Sequence, residues 1–139
     1  MIYYSLDKDA HQPRFAYEGD AGMDLALKHD LTVPVGAHRM GDTGVHVAIP
    51  EGHVGMLFVR SSIGIKRHLV LSNGTGIIDS GFRGQIKISL HNTGDKTQHI
   101  AAGDYIAQLV TIPIATNEIC EVRELPHSER DTNGIGSSN

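Results

Sequence analysis

Short apolar runs separated by turn signals dominate the chain, and the clearest spans residues 85–91. There Ile86, Ile88 and Leu90 alternate with Gln85, Lys87, Ser89 and His91. That period of two sets three aliphatic side chains on one face of a strand. Comparable runs predict strands over 2–5, 23–27, 31–33, 45–49, 54–60, 68–71, 97–100, 105–112 and 118–124. Gly, Pro, Asn and Asp cluster at 18–20, 34–36, 50–52, 73–74, 93–95 and 102–104, which marks turns. Only 60–66 reads as helix, one or two turns long, with Ser61 and Ser62 placed to cap its start. About ten short strands with regular turns predict an all-β barrel or jelly roll with one short helix. No internal repeat or linker interrupts the pattern, so one domain is expected.

The stretch 131–139 departs from it. DTNGIGSSN carries one large apolar residue, Ile135, and two glycines, too little to hold itself against a core. Two readings stand: a frayed tail, or a lid that orders over a ligand.

Composition narrows the function. The 139 residues are 40% apolar and only 5% aromatic, without Trp, so the core must be mostly aliphatic. A net charge of −4 and the lack of any Lys/Arg run argue against a nucleic-acid partner. A small anion remains accessible to a few local cations and a metal ion. Cys120 is the single cysteine, which excludes an intramolecular disulfide. No apolar stretch is long enough to span a membrane, and the first ten residues do not read as a secretion signal; a cytoplasmic protein is expected. The nine histidines are scattered, without HExxH or cysteine partners, and read as surface or satisfied groups rather than a zinc site.

Four segments could carry chemistry. Arg60-Ser61-Ser62 follows a strand and opens the helix; its donors suit a phosphate cradle, or simply a capped helix start. In the connection 76–84, Asp79 lies between apolar residues and the glycine-flanked Phe82. It is either a general base for water or a turn-supporting residue. Asp24, inside the apolar run 21–25, needs a buried donor or a metal-water cluster. Gln108, inside 105–110, satisfies backbone groups or reaches a ligand. P-loop, GxGxxG and GxSxG patterns are absent from the sequence, and Cys120 has no suitable base beside it. That leaves a water nucleophile, or no chemistry at all.

In order along the chain, AGMDL (21–25), RSSIGIK (60–66), GTGIIDSGFRGQ (74–85), YIAQLV (105–110) and RDTNGIGSS (130–138) resemble the five motifs of the trimeric dUTPases. Each motif is weak alone; five in sequence are specific. The resemblance implies a homotrimer of jelly-roll subunits that hydrolyses dUTP to dUMP and pyrophosphate with Mg²⁺, keeping uracil out of DNA and supplying dUMP. It implies a β-barrel domain over 1–127 and an arm, 128–139, that closes over a neighbouring subunit's site. Asp79 would activate the attacking water, with Asp24 in the surrounding water or metal-water network. Arg60, Ser61, Ser62 and Gln108 would bind phosphates, joined by Arg130, Ser137 and Ser138 from the arm. Asn73, with Gly76, Ile78, Phe82 and Ile135, would receive uracil and deoxyribose. Mg²⁺ would be held mainly by the triphosphate and waters, with no direct protein ligand expected.

Two positions depart from the family pattern. Phe82 stands where most relatives carry Tyr, and Ile135 where an arm Phe stacks on uracil. Ile keeps apolar cover without the π-face, so a looser lid with higher KM or slower turnover is expected. A dCTP deaminase of the same fold shares RSS and a GF-G hairpin, but Ser89 and Ile65 stand where that enzyme needs Glu and Arg. The other rival is a non-catalytic trimer that senses nucleotide, which would have no use for Asp79.

Overall fold

A computed structural model describes residues 1–137; Ser138, assigned to the arm above, lies outside them. The strands are β1 (Tyr3–Leu6), β2 (Gly22–Ala26), β3 (Leu31–Val33), β4 (His38–Ala48), β5 (His53–Val59), β6 (Leu69–Leu71), β7 (Gly76–Ile78), β8 (Gln85–Asn92), β9 (Gln98–Ile100) and β10 (Tyr105–Pro113). Among the described residues one helix forms, α1 (Ser61–Arg67), and it follows β5. Two antiparallel four-stranded sheets, ordered β1-β4-β8-β6 and β2-β10-β5-β7, enclose the core, and β3 pairs with β9. This is the expected all-β architecture.

The core cluster is aliphatic throughout. Leu25, Leu27, Val45, Ile86, Ile88, Leu90, Ile106 and Leu109 are buried in it, with no aromatic ring among the buried members. The alternation of β8 holds as read: Ile86, Ile88 and Leu90 are inside, and Lys87 is exposed on the opposite face.

Four local expectations are corrected. β4 begins at His38, seven residues before the apolar run at 45–49. Its first half is polar and glycine-bearing, and it joins the sheet through a register shift against β8 between Asp42 and His46. Thr43 supports that bulge, donating to the Ile86 carbonyl at 2.6 Å and accepting the Val45 N–H at 3.0 Å. Second, β7 is a strand where a connection was expected. Gly76 makes it possible: a Cβ there would lie 2.8 Å from the Leu57 Cβ, so only glycine lets β7 close on β5. Third, no strand forms at 118–124. Residues 114–137 carry no strand or helix, only bends and turns, and Ile119 and Leu125 are almost wholly exposed; apolar residues alone do not make a strand without a sheet edge to pair with. Fourth, Ser61 and Ser62 do not cap α1. The N-cap is Arg60, without a side-chain cap, and the serines are the first helical residues. His68 in the left-handed region (φ 53°) closes the helix.

Candidate active site

Asp24 is fixed by three neighbouring segments. On one side its strand pairs with β10, opposite Gln108. On the other its backbone exchanges two hydrogen bonds with Arg14, at 2.7 and 3.2 Å. The carboxylate is buried, with Oδ1 3.3 Å from Arg60 Nε and Oδ2 lacking any donor. Arg60 is held in turn: its N–H donates to the Ile106 carbonyl and Nη1 to the Tyr105 carbonyl. Sequence left Asp24 between a structural partner and a metal-water cluster. The structure supplies the partner for one oxygen and buries the other without a donor.

Asp24, Arg60, Ser61 and Gln108 line one polar cavity of about 390 Å³. Gly22 gives the Gln108 amide its place, since a Cβ on Gly22 would lie 2.3 Å from Gln108 Oε1. Tyr17 and Asp20 also border the cavity. Asp20 belongs to the turn at 18–20. Its Oδ2 does accept the Tyr17 N–H at 2.9 Å, and the clue overlooked was an acidic residue so close before AGMDL. Ser62 is exposed on α1 and does not line the cavity.

A second cavity, about 290 Å³, opens beside β7. Asn73, Gly76 and Ile78 line it, and Phe82 and Ile135 do not; Leu57 and Leu71 form an apolar floor. Met40, Lys87 and Ser89 complete it and were not anticipated. The period-two pattern of β8 carried the signal, because it sets Lys87 and Ser89 together on the face away from the core.

Asp79 lines neither cavity; it is exposed, just past the end of β7. Phe82 donates its N–H to the Asp79 carbonyl at 3.1 Å. Its ring folds over Gly84, where a Cβ would lie 2.6 Å from the ring Cζ. Arg83 ties the loop further, with Nη1 donating to the carbonyls of Ser80 and Phe82. The decisive spacing follows from the sheet. β7 runs antiparallel to β5 with Ile78 opposite Gly55, so Asp79 sits near the start of β5 and Arg60 just beyond its end. At roughly 3.3 Å per residue, Asp79 and Arg60 of one chain stand about 20 Å apart. They cannot act on neighbouring phosphates of one ligand.

The loop is also moored to the body of the domain. His46 Nδ1 lies 2.8 Å from the Arg83 carbonyl oxygen and Nε2 lies 3.1 Å from Asp7 Oδ1. Both partners are acceptors, so only the imidazolium donates to both. The bond to the Arg83 carbonyl raises the His46 pKa above its ordinary 6.5; partial burial opposes it, and the Asp7 carboxylate adds to the rise. A raised folded-state pKa stabilises the protein fully below the unfolded value, and that stability is lost as pH rises through the folded one. The Tm advantage of the natural chain over His46→Ala is therefore expected to be largest below pH 6.5 and to shrink as the solution becomes alkaline. Thermal denaturation across a pH series checks this; an advantage growing with pH contradicts it.

Among the described residues, Arg130, Ile135 and Ser137 of the arm do not line either cavity within one chain. Arg130 Nε donates to the Asn133 carbonyl, Ser137 N–H to the Gly134 carbonyl, and Ile135 is fully exposed. Among the described residues no three His, Cys, Asp or Glu side chains converge as a metal cluster, and no helix is long and apolar enough to cross a membrane.

The dUTPase family model matches residues 8–139. This chain belongs to the dUTPase family. It is 42% identical over 127 residues to the deoxyuridine 5'-triphosphate nucleotidohydrolase of Cutibacterium acnes, covering 91% of this chain and 84% of that protein. To the enzyme of the same name from Tropheryma whipplei it is 37% identical over 139 residues, covering 99% and 95%. Among solved structures, the Staphylococcus bacteriophage 80alpha dUTPase with dUPNHPP superposes with a TM-score of 0.92 at 31% identity, covering 100% of this chain and 98% of that one. As a dUTPase, the chain has the jelly-roll core and four of the five motif segments on ordered elements or their ends.

Proposed function

We propose that this dUTPase hydrolyses dUTP to dUMP and pyrophosphate in sites shared between the subunits of a homotrimer. The observation that carries the reading is the separation along β5: a phosphate-type cavity at one end and the Asp79 loop at the other. A second copy, presenting its Asp79 loop and base cavity to the first copy's Arg60 cavity, completes the site. The exposed apolar residues Ile119, Val122 and Leu125 support assembly, since another copy would remove them from water. The arm over 128–139, with Arg130, Ile135, Ser137 and Ser138, then closes over a neighbour rather than over its own chain.

In this reading uracil enters the cavity beside Asn73, whose amide offers a donor for O4 and an acceptor for N3–H. Gly76 and Ile78 bring backbone close to the base, and Phe82 packs on deoxyribose. Arg60, Ser61 and Gln108 hold the phosphates. Asp79 orients a water in line with the leaving pyrophosphate and takes its proton as oxygen attacks the α-phosphorus. The new P–O bond forms as the bond to pyrophosphate breaks. The buried, donorless Oδ2 of Asp24 beside Asp20 and Gln108 suits a hydrated divalent cation, reached through water. Bound Mg²⁺ would neutralise charge on the triphosphate oxygens.

Pyrophosphate release from dUTP, dCTP, dTTP and UTP, with and without Mg²⁺, tests the assignment. A strong preference for dUTP that depends on Mg²⁺ is expected; equal turnover of dCTP or UTP overturns the roles of Asn73 and Phe82. Gly22→Ala probes the phosphate cavity separately. The new methyl must displace the Gln108 amide, so KM for dUTP should rise roughly tenfold with Tm little changed. An unchanged KM would remove Gln108 from the site.

A further inference from the structure

Beside the base cavity runs an exposed chain of hydrogen bonds that the roles above do not use. Ser89 lines the cavity with Asn73, and its Oγ is 2.8 Å from Ser72 Oγ. Ser72 Oγ is in turn 2.9 Å from His38 Nδ1. The backbone fixes both serines, since the Ser72 N–H donates to the Ser89 carbonyl at 2.9 Å. His38 is fixed too: it pairs with His91 across β4 and β8, and the two rings stack with centroids 4.1 Å apart and planes within 12°.

A hydroxyl has one proton to give, so the chain has a direction. With the Nδ1 proton on His38, Ser72 accepts from the imidazole and donates to Ser89. Ser89 then has its own proton free for the cavity. In the opposite tautomer both serine protons point back toward His38, and Ser89 offers the cavity lone pairs only. The first direction suits a keto oxygen at the far edge of a pyrimidine; the second suits an amino group there. Donation to the 4-oxygen of uracil requires the first.

We propose that Ser89 is a specificity-determining residue of this dUTPase, donating its hydroxyl proton to the 4-oxygen of uracil from a relay oriented by Ser72 and His38. The inference rests on the assignment of the Asn73 cavity to the base. Asn73 and Ser89 then supply two donors to an oxygen with two lone pairs, and cytosine, with an amino group in that place, meets two donors facing its own. Such a site discriminates chiefly against the wrong group, because its polar atoms would be left unpaired.

The test compares the natural chain, Ser89→Ala, and Asn73→Ala on two substrates: dUTP, and the analogue whose base carries hydrogen in place of the 4-oxygen. Ser89→Ala should raise KM for dUTP about threefold to tenfold with kcat retained. It should leave KM for the analogue unchanged, and the preference for dUTP over dCTP should narrow by a similar factor. An equal loss on both substrates would mean that Ser89 acts on packing alone, and overturns the proposal. So does an unchanged KM for dUTP, with Asn73→Ala separating the causes. If Asn73→Ala raises KM while Ser89→Ala does not, the relay is wrong and the base cavity stands. If neither moves KM, the base lies elsewhere and both readings fall.

Discussion

Asp79→Asn is expected to lower kcat for dUTP by about 10²- to 10⁴-fold, the range that a positioned general base contributes. The change is isosteric, and Asp79 is exposed at a loop tied by the Phe82 N–H, the Arg83 guanidinium and His46. Those moorings use backbone carbonyls and the Asp7 carboxylate, not the Asp79 carboxylate. Fold, Tm and KM should therefore hold while kcat falls. Steady-state kinetics with a thermal melt distinguishes this from a structural role: a large Tm loss with kcat largely intact would return Asp79 to the turn-supporting reading.

Arg60→Ala is expected to damage both activity and stability, for separate reasons. Removing the guanidinium takes a charge-assisted donor from the phosphate cavity, and kcat/KM for dUTP should fall on the order of 10²-fold or more. It also strands Asp24, whose side chain is 7% exposed and already lacks a donor at Oδ2. Breaking a fully buried pair costs about 3–5 kcal/mol; with Arg60 one-third exposed, about 1–3 kcal/mol is the sounder expectation. Adding Asp24→Asn to Arg60→Ala should recover part of the Tm, because the stranded charge is gone, while activity stays low. Were the double variant to recover activity as well, Arg60 would serve only to neutralise Asp24.

Much of this was legible in the sequence, for reasons that differ by element. β8 declared itself because its core and solvent faces alternate without exception, and α1 because it follows β5 abruptly at Arg60-Ser61-Ser62. The first half of β4 was not legible: its pairing depends on a bulge and on Thr43, features of the partner strand rather than of local pattern. The run 118–124 misled for the converse reason, being apolar enough for a strand yet without an edge to join. At the site, Asp24, Arg60, Ser61 and Gln108, each a candidate in the sequence, line one cavity; Asp24 and Gln108 stood out because an acid or amide inside an apolar strand needs a partner. Neither Ser89 nor Asp20 stood out in the sequence as a cavity residue. One is an ordinary polar member of an alternating strand, the other an ordinary turn residue, and only the fold shows what each faces. Motif order along the chain could not reveal that Asp79 and Arg60 stand at opposite ends of one strand.

That last fact also supplies the most direct measurement. Asp79→Asn and Arg60→Ala chains, each inactive alone, can be unfolded together, refolded as a mixture and assayed on dUTP. If one copy's carboxylate serves another copy's phosphate cavity, random mixing restores intact sites and about a quarter of the natural activity. If each chain holds a complete site of its own, every site in the mixture keeps one defect, and activity stays at the level of the separate variants.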